Sequence, residues 1–237
     1  MLSRSEYARF FPPRFFKRVT AAHDRSLPVA SAVAVGQGVS RAAEVSLCFA
    51  AVLALAPLML FVAALVHLQD GGPVIFRQRR IGRGGRPFSC LKFRTMAVNA
   101  EQILNDVLRS SPQRRGEWER EHKLRNDPRV TRLGAFLRRT SIDELPQLLN
   151  VLRGEMSLVG PRPIVEAEIN RYGPRFKYYA AVRPGITGLW QVSGRNDLSY
   201  RTRVAMDVTY VRTRTARLDL RIMLATVYAV VMQRGSY

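Results

Sequence analysis

The chain has 237 residues, 47% of them apolar, with 38 Lys and Arg against 18 Asp and Glu for a net charge of +20. That apolar content excludes an intrinsically disordered chain, and the length suits one substantial domain with a small appendage. Two cysteines, Cys48 and Cys90, exclude a disulfide framework, and no Cys/His spacing of a zinc site occurs.

A reducing, cytosol-facing compartment fits this cysteine usage. Only Lys17, Lys92, Lys123 and Lys177 are lysines; every other basic residue is Arg, the better fork for phosphate oxygens. So basic a chain has three usual partners: nucleic acid, an anionic membrane or phosphorylated small molecules.

Residues 1–40 predict a flexible basic N-terminal arm, with Pro12, Pro13, Pro28, Gly36 and Gly38 among six basic residues. Within it, "YARFFPPRFFKRV" could lay its Phe rings on a membrane surface. Residues 41–70 form the second unit. Its "VSLCFAAVLALAPLMLFVAALVHL" (45–68) holds no Asp, Glu, Lys or Arg and is long enough for a bilayer, which needs roughly 20 residues. Pro57 lies near its middle and removes one backbone hydrogen bond. Both flanks are basic: seven Lys/Arg precede it, and Arg77, Arg79, Arg80, Arg83, Arg86, Lys92 and Arg94 follow. Two basic flanks favour a re-entrant helix-break-helix with both ends cytoplasmic. A true crossing with an outside N-terminus is the alternative.

Residues 71–237 form the third unit. "VIFRQRRIG" and "FSCLKFRTM" alternate as a short hairpin around Gly82, Gly84 and Gly85. Residues 97–125 predict a solvated helical pair interrupted at "SSPQRRG", and "VTRLGAFLRRTSIDE" a helix followed by a capped restart. "LPQLLNVLRGE" predicts a helix ended by Gly154. "YYAAVRPGITGLWQVSGRND" reads as loop, "YRTRVAMDVTYVRTRT" as helix. "LDLRIMLATVYAVVM" (218–232) predicts an apolar helix too short to cross, packed in the core or lying along the bilayer. The predicted fold class is therefore α/β, mostly helical with a small β-hairpin, in a monotopic membrane protein with amphipathic interfacial helices.

Two carboxylates, Asp143 and Glu144, stand side by side just after Arg138 and Arg139. Ser141 followed by Glu144 has the spacing of a capping box. Pro146 then falls in the second turn, so the regular helix could instead begin near Pro146. Adjacent helical residues point about 100° apart, so the two acids suit different roles, one attacking and one holding a metal. Mg²⁺ takes one or two carboxylates plus phosphate oxygens. Lys92 and Arg94 share a strand face if their stretch is extended. Arg162 lies between Pro161 and Pro163, which bias it toward an extended arm. Around the acidic pair these cations make a candidate diphosphate site.

"RIGRGGRPFSCLKFRTM", "DPRVTRLGAFLRRTSIDELPQLLNVLRGEMSLVGPRP" and "RPGITGLWQVSGRN", in that order behind an apolar segment, resemble the bacterial sugar transferase family of monotopic polyprenol-phosphate phosphoglycosyl transferases. The resemblance covers roughly residues 41–237. It is greatest to the short exopolysaccharide-initiating galactose phosphotransferases, which "GLWQVSGRND" and the ending "RGSY" also resemble. It implies transfer of sugar-1-phosphate from a UDP-sugar to undecaprenyl phosphate, releasing UMP, at the cytoplasmic face of the bacterial inner membrane. It further implies Asp143 as nucleophile, Glu144 supporting Mg²⁺, Lys92, Arg138 and Arg162 on phosphate, and a membrane helix broken at Pro57. By the same resemblance the partners are UDP-sugar, undecaprenyl phosphate and membrane lipid, and not nucleic acid.

The family's Trp-containing turn before "LDL" is replaced here by the basic "VRTRTARLDL". Trp190 could stack on uracil but reads better as core. Galactose and glucose differ by one epimeric hydroxyl, so the sugar stays open between them, as does the oligomeric state. The competing reading from another class is a membrane-bound anionic-polymer binder driven by charge alone. It leaves the acidic pair unexplained.

Overall fold

The apolar run dominates the architecture. In the computed structural model, which describes residues 36, 38–121, 124, 126–193 and 198–231, it becomes one uninterrupted helix, α1 (Arg41–Asp70). The arm at 1–35 and the "RGSY" ending lie outside the described residues. Ser40 starts α1, its Oγ accepting from the Ala43 N–H at 3.3 Å. Gly71 ends it in the left-handed region at φ 67°, its N–H donating to the His67 carbonyl. The expected break at Pro57 is not an interruption: a proline costs the helix one hydrogen bond, which a long helix absorbs without unwinding.

One stripe of α1 faces the rest of the protein along its whole length. Glu44, Cys48, Val62 and Val66 are buried, and Ala51, Val52, Leu55, Met59 and Ala63 complete the row at spacings of three and four. The other sides expose Leu47, Phe49, Leu53, Leu60, Phe61 and Leu68. A helix apolar all round but covered on one side only is suited to lipid. It is long and apolar enough to cross a membrane by length and composition.

The predicted hairpin forms as β1 (Ile75–Ile81) and β2 (Pro87–Phe93), antiparallel, with Phe76 opposite Lys92, Gln78 opposite Cys90 and Arg80 opposite Phe88. Two charge-mixed helices follow, α2 (Ala100–Ser110) and α3 (Pro112–Glu121), then α4 (Arg132–Thr140) and α5 (Gln147–Leu152). Gly154, at φ 81°, closes α5 as expected.

Among the described residues the far edge of β2 has no third strand. The Asn150 side chain on α5 substitutes for one: Oδ1 accepts from the Leu91 N–H at 2.9 Å, and Nδ2 donates to the Ser89 carbonyl at 2.8 Å. Asn150 is fully buried, and its bond to the Leu91 N–H satisfies a strand donor that is itself buried.

The segment read as loop contains more order than its sequence suggests. After the short helices α6 (Ile169–Tyr172) and α7 (Phe176–Ala181), a second sheet pairs β3 (Ser157–Val159) in parallel with β4 (Gly185–Thr187). A one-turn helix α8 (Leu189–Val192) follows. Helix α9 (Tyr200–Thr213) buries every residue from Val204 to Val211, and α10 (Ala216–Val231) packs against α8, β3 and β4, with Leu218, Ile222 and Ala225 in the same core. Its opposite side exposes Leu220, Leu224 and Val227. The core alternative thus holds for one face of this helix, and the other face is exposed and apolar. Trp190 is in this core, as expected.

Candidate functional site

The acidic pair sits on a single 3-10 turn, Ile142–Glu144, between α4 and α5. Thr131 caps α4, its Oγ1 accepting from the Gly134 N–H at 2.9 Å. Gly134 lets α4 lie directly on the end of the hairpin: a Cβ there would overlap the Thr95 carbonyl. One turn later Arg138 reaches the same residue, its Nε donating to Thr95 Oγ1 at 2.9 Å.

The capping-box expectation for Ser141 fails. Ser141 adopts the left-handed conformation at φ 59° as the residue ending α4, and its side chain caps nothing. Its carbonyl instead accepts from the Glu144 N–H at 3.2 Å. The regular helix restarts after Pro146, as the proline suggested.

This tight reversal brings the carboxylates to the cations of β2 and α4. Glu144 Oε1 accepts from Lys92 Nζ at 2.6 Å. Asp143 is nearly buried at 7% exposure. Burial pushes its carboxyl up to about 6; Glu144 adds to the rise, and Lys92 and Arg138 oppose it. Burial also lowers Arg138, while Asp143 and Asp127 hold it up.

Beside the turn opens a cleft lined by Arg80, Cys90, Lys92, Glu144, Gln147, Arg162, Pro163, Ile186 and Gln191. Arg162 enters it from the proline-flanked arm after β3, its guanidinium 5.9 Å from the Trp190 ring, over which Arg203 also lies at 4.8 Å. Glu144 lines the cleft and Asp143 does not. The structure therefore brings together Asp143, Glu144, Lys92 and Arg138 at the turn, with Arg162 across the cleft.

Arg94 does not join them. Its Nη1 and Nη2 bind both oxygens of Asp70, its Nε donates to the Pro73 carbonyl at 2.7 Å, and Nη2 also reaches the Val66 carbonyl at 3.1 Å. It clamps the end of α1. The alternation argument fails because β2 ends at Phe93, so Arg94 no longer follows the pleat. Its hydrogen bonds hold the Asp70 carboxyl down to about 2. We expect Arg94→Ala to lower the melting temperature while leaving the affinity of the cleft for pyrophosphate unchanged. A several-fold loss of that affinity at unchanged stability would return Arg94 to the phosphate site.

Arg80 was missed. It shares a sheet face with Lys92, donates to the Pro163 carbonyl at 3.1 Å and lies 3.8 Å from Glu168. Burial lowers its pKa, and the nearby Arg162 charge lowers it further. It both holds the Arg162 arm and adds a cation to the cleft. The alternation of "FRQRR" could have found it by face, but not its contact with residue 163. Gln147 and Gln191 were also missed.

As for metal, Asp143 and Glu144 supply two carboxylates, and the described residues contain no cluster of three or more His, Cys, Asp or Glu. Such a pair suits Mg²⁺, which completes its shell with phosphate oxygens and water. It does not suit zinc, which requires three or four protein ligands.

A cation-lined cleft beside a two-acid turn, docked on a helix whose uncovered sides are apolar, defines a membrane-associated protein built to receive an anionic ligand. The chain belongs to the bacterial sugar transferase family, whose model matches residues 35–233. It is 50% identical over 197 residues to the exopolysaccharide production protein ExoY of Sinorhizobium fredii, covering 83% of this chain and 87% of that protein. It is 52% identical over 189 residues to the UDP-galactose-lipid carrier transferase of Erwinia amylovora (78% of this chain, 40% of that one). It is 50% identical over 181 residues to the undecaprenyl-phosphate galactose phosphotransferase of Salmonella typhimurium (76% and 38%). The chain thus spans about two fifths of the length of the latter two relatives.

Proposed function

We propose that this protein transfers galactose-1-phosphate from UDP-galactose to undecaprenyl phosphate, the initiating step of exopolysaccharide synthesis, at the cytoplasmic face of the bacterial inner membrane. One observation carries the reading: a nearly buried carboxylate, Asp143, shares a tight turn with Glu144 at the edge of a cleft lined by Arg80, Lys92 and Arg162. A charge-only polymer binder has no use for such an acid. The relatives' names supply the donor and acceptor classes.

The chemistry follows from the residues. An Asp143 oxygen attacks the β-phosphorus of the donor, the bond from that phosphorus to the bridging oxygen breaks, and UMP leaves. The resulting acyl-phosphate divides one hard transfer into two easier steps. An oxygen of undecaprenyl phosphate then attacks the same phosphorus, forming undecaprenyl-diphosphate-galactose and freeing the Asp143 carboxylate. Arg162, Arg80 and Lys92 offset charge on the phosphoryl oxygens. Arg138 stabilises the ionised form of Asp143 before attack. Glu144, with Asp143, would hold Mg²⁺, which when bound supplies further charge compensation to the diphosphate.

Purified protein mixed with donor alone should release UMP in a burst of one equivalent per enzyme, and further turnover should wait for acceptor. Absence of a burst, with UMP appearing only when undecaprenyl phosphate is added, would point to direct transfer. The same assay across UDP-sugars reads the sugar: UDP-glucose outperforming UDP-galactose would reassign the substrate.

We further propose that α1 dips into one leaflet and keeps both ends on the cytoplasmic side. Two polar attachments support this. At one end Arg41 donates to the Met156 carbonyl at 3.3 Å, and Glu44 accepts from the Ser157 hydroxyl; at the other, Arg94 clamps Asp70. A helix of 30 residues is about 45 Å long, more than the hydrocarbon core, yet both its ends are tied to one domain. A cysteine introduced at Ser3 should resist a membrane-impermeant maleimide in intact spheroplasts and react after lysis. Labelling in intact spheroplasts would establish a crossing.

A further inference from the structure

A second basic cleft lies away from the acidic turn, where α1 begins. Arg41, Arg83, Arg183 and Arg214 line it together with Val39, Glu44, Ser157, Ala181 and Val182. Part of this charge has a structural use. Arg41 donates to the Val151 and Met156 carbonyls, and Arg183 Nε to the Gly154 carbonyl at 2.8 Å; together they close the C-terminal end of α5. Arg214 Nε donates to Asp219 at 3.3 Å, and its Nη2 lies 4.0 Å from Glu44.

Those contacts do not exhaust the site. A guanidinium carries five N–H donors. Among the described residues, Arg183 hydrogen-bonds through Nε alone, and the exposed Arg83 side chain makes no hydrogen bond or ion pair. Among the described residues, four guanidinium groups face two carboxylates, Glu44 and Asp219, and Glu44 is further engaged by the Ser157 hydroxyl and the Leu158 N–H. Positive charge therefore exceeds negative charge among these groups. The strain registers at Arg183, whose pKa is lowered first by burial and then by Arg41, Arg83 and Arg214.

The surroundings say what the anion is attached to. One turn beyond Glu44, α1 exposes Leu47, about 60° round the helix from Glu44, whereas the exposed Phe49 and Leu53 lie further round. At the start of α10, joined to this corner through Asp219, Leu220 is exposed as well. A ligand seated among the arginines with its remainder leaving along the Leu47 flank of α1 has a phosphate at one end and hydrocarbon at the other.

We propose that this corner is a binding site for the phosphate of an anionic phospholipid headgroup, held by Arg83 and Arg183 with Arg41 and Arg214 behind them, its acyl chains lying against the first exposed turns of α1. The site anchors the mouth of the membrane helix and is separate from the cleft at Glu144. It rests on the membrane reading of α1 and not on the chemistry of Asp143, so its failure leaves the transferase reading standing.

The test is thermal unfolding of the full chain in neutral detergent with short-chain phosphatidylglycerol, short-chain phosphatidylcholine or inorganic phosphate added. Phosphatidylglycerol should raise the melting temperature by about 3–5 °C near saturation, and phosphatidylcholine should not. Arg83→Glu, at an exposed side chain with no structural bond, should abolish the rise and leave UMP release intact. Arg109→Glu, an equal charge change on α2, should keep it. Equal shifts from both lipids, or a full shift in Arg83→Glu, overturn the site. Inorganic phosphate matching phosphatidylglycerol overturns the lipid assignment in favour of a free-anion site.

Discussion

Asp143→Asn should abolish donor cleavage and make the protein more stable. The activity loss follows from removing the attacking oxygen: an amide is no nucleophile toward phosphorus, and a fall of at least about 10³-fold in UMP release is expected for a residue on which the reaction depends. The stability gain follows from burial. The Asp143 carboxyl titrates at about 6 in the folded protein and at its ordinary value near 4 when unfolded. Its folded pKa is raised, so the native state binds the proton more tightly. Below pH 4 both states are protonated and the group contributes no difference. As pH rises from about 4 to 6 the folded state falls behind, and above 6 the whole penalty applies.

A two-unit difference corresponds to about 3 kcal/mol. Asparagine has the same shape and no charge to desolvate, and Lys92 keeps Glu144 as partner at 2.6 Å. The variant should therefore be more stable than the parent by about 2–3 kcal/mol at pH 8, with the two curves meeting near pH 4. Denaturant titrations at both pH values measure this. Appreciable turnover by Asp143→Asn would sink the covalent mechanism. Loss of stability at pH 8 would show that the carboxylate supports the fold instead of straining it.

What the sequence disclosed depended on how locally each feature is encoded. The limits of α1, the hairpin and its glycine turn, and the α9 and α10 helices follow from composition and periodicity. The acidic pair stood out because two adjacent carboxylates among arginines are odd at the level of the string. Ser141 misled because a capping pattern is satisfied equally by a residue that closes the previous helix; Pro146, which cannot sit inside the second turn, was the better guide. Arg94 misled because alternation holds only while the strand continues, and β2 ends one residue earlier. Asn150, and the contact that Arg80 makes with residue 163, were invisible for a different reason. Each acts on a partner about 60 to 80 residues away, Arg80 on Pro163 and Asn150 on Leu91, and no window along the chain contains both. The same holds for β3 and β4, whose three residues each are too few to show a period.

That second sheet governs where Arg162 lies, and Gly185→Ala is expected to break it. β3 runs through Val159 into Gly160, and the two chains cross with almost nothing between them. Gly160 N–H donates to the Thr187 carbonyl at 2.9 Å, and Gly185 N–H to the Pro161 carbonyl at 2.8 Å. A Cβ on Gly185 would overlap the Gly160 nitrogen and the Thr187 carbonyl oxygen, and one on Gly160 would come within 2.6 Å of the Arg183 carbonyl. These neighbours are backbone, held by the bonds the methyl would displace, so the strands must separate. The cost should be about 3 kcal/mol, at the upper end of what an added methyl imposes on tight packing. Arg162 lies two residues past Gly160, and a displacement of about 1 Å at a positioning group costs near 10²-fold in rate. Gly185→Ala should therefore lower the melting temperature and cut the burst of UMP at subsaturating donor, with KM rising as Arg162 leaves the cleft. Gly116→Ala on α3, where a Cβ meets nothing, should do the opposite and stabilise by about 0.5–1 kcal/mol. Unchanged donor KM in Gly185→Ala would mean that Arg162 is not positioned through this crossing, and the diphosphate would then have to be held from the Lys92 side alone.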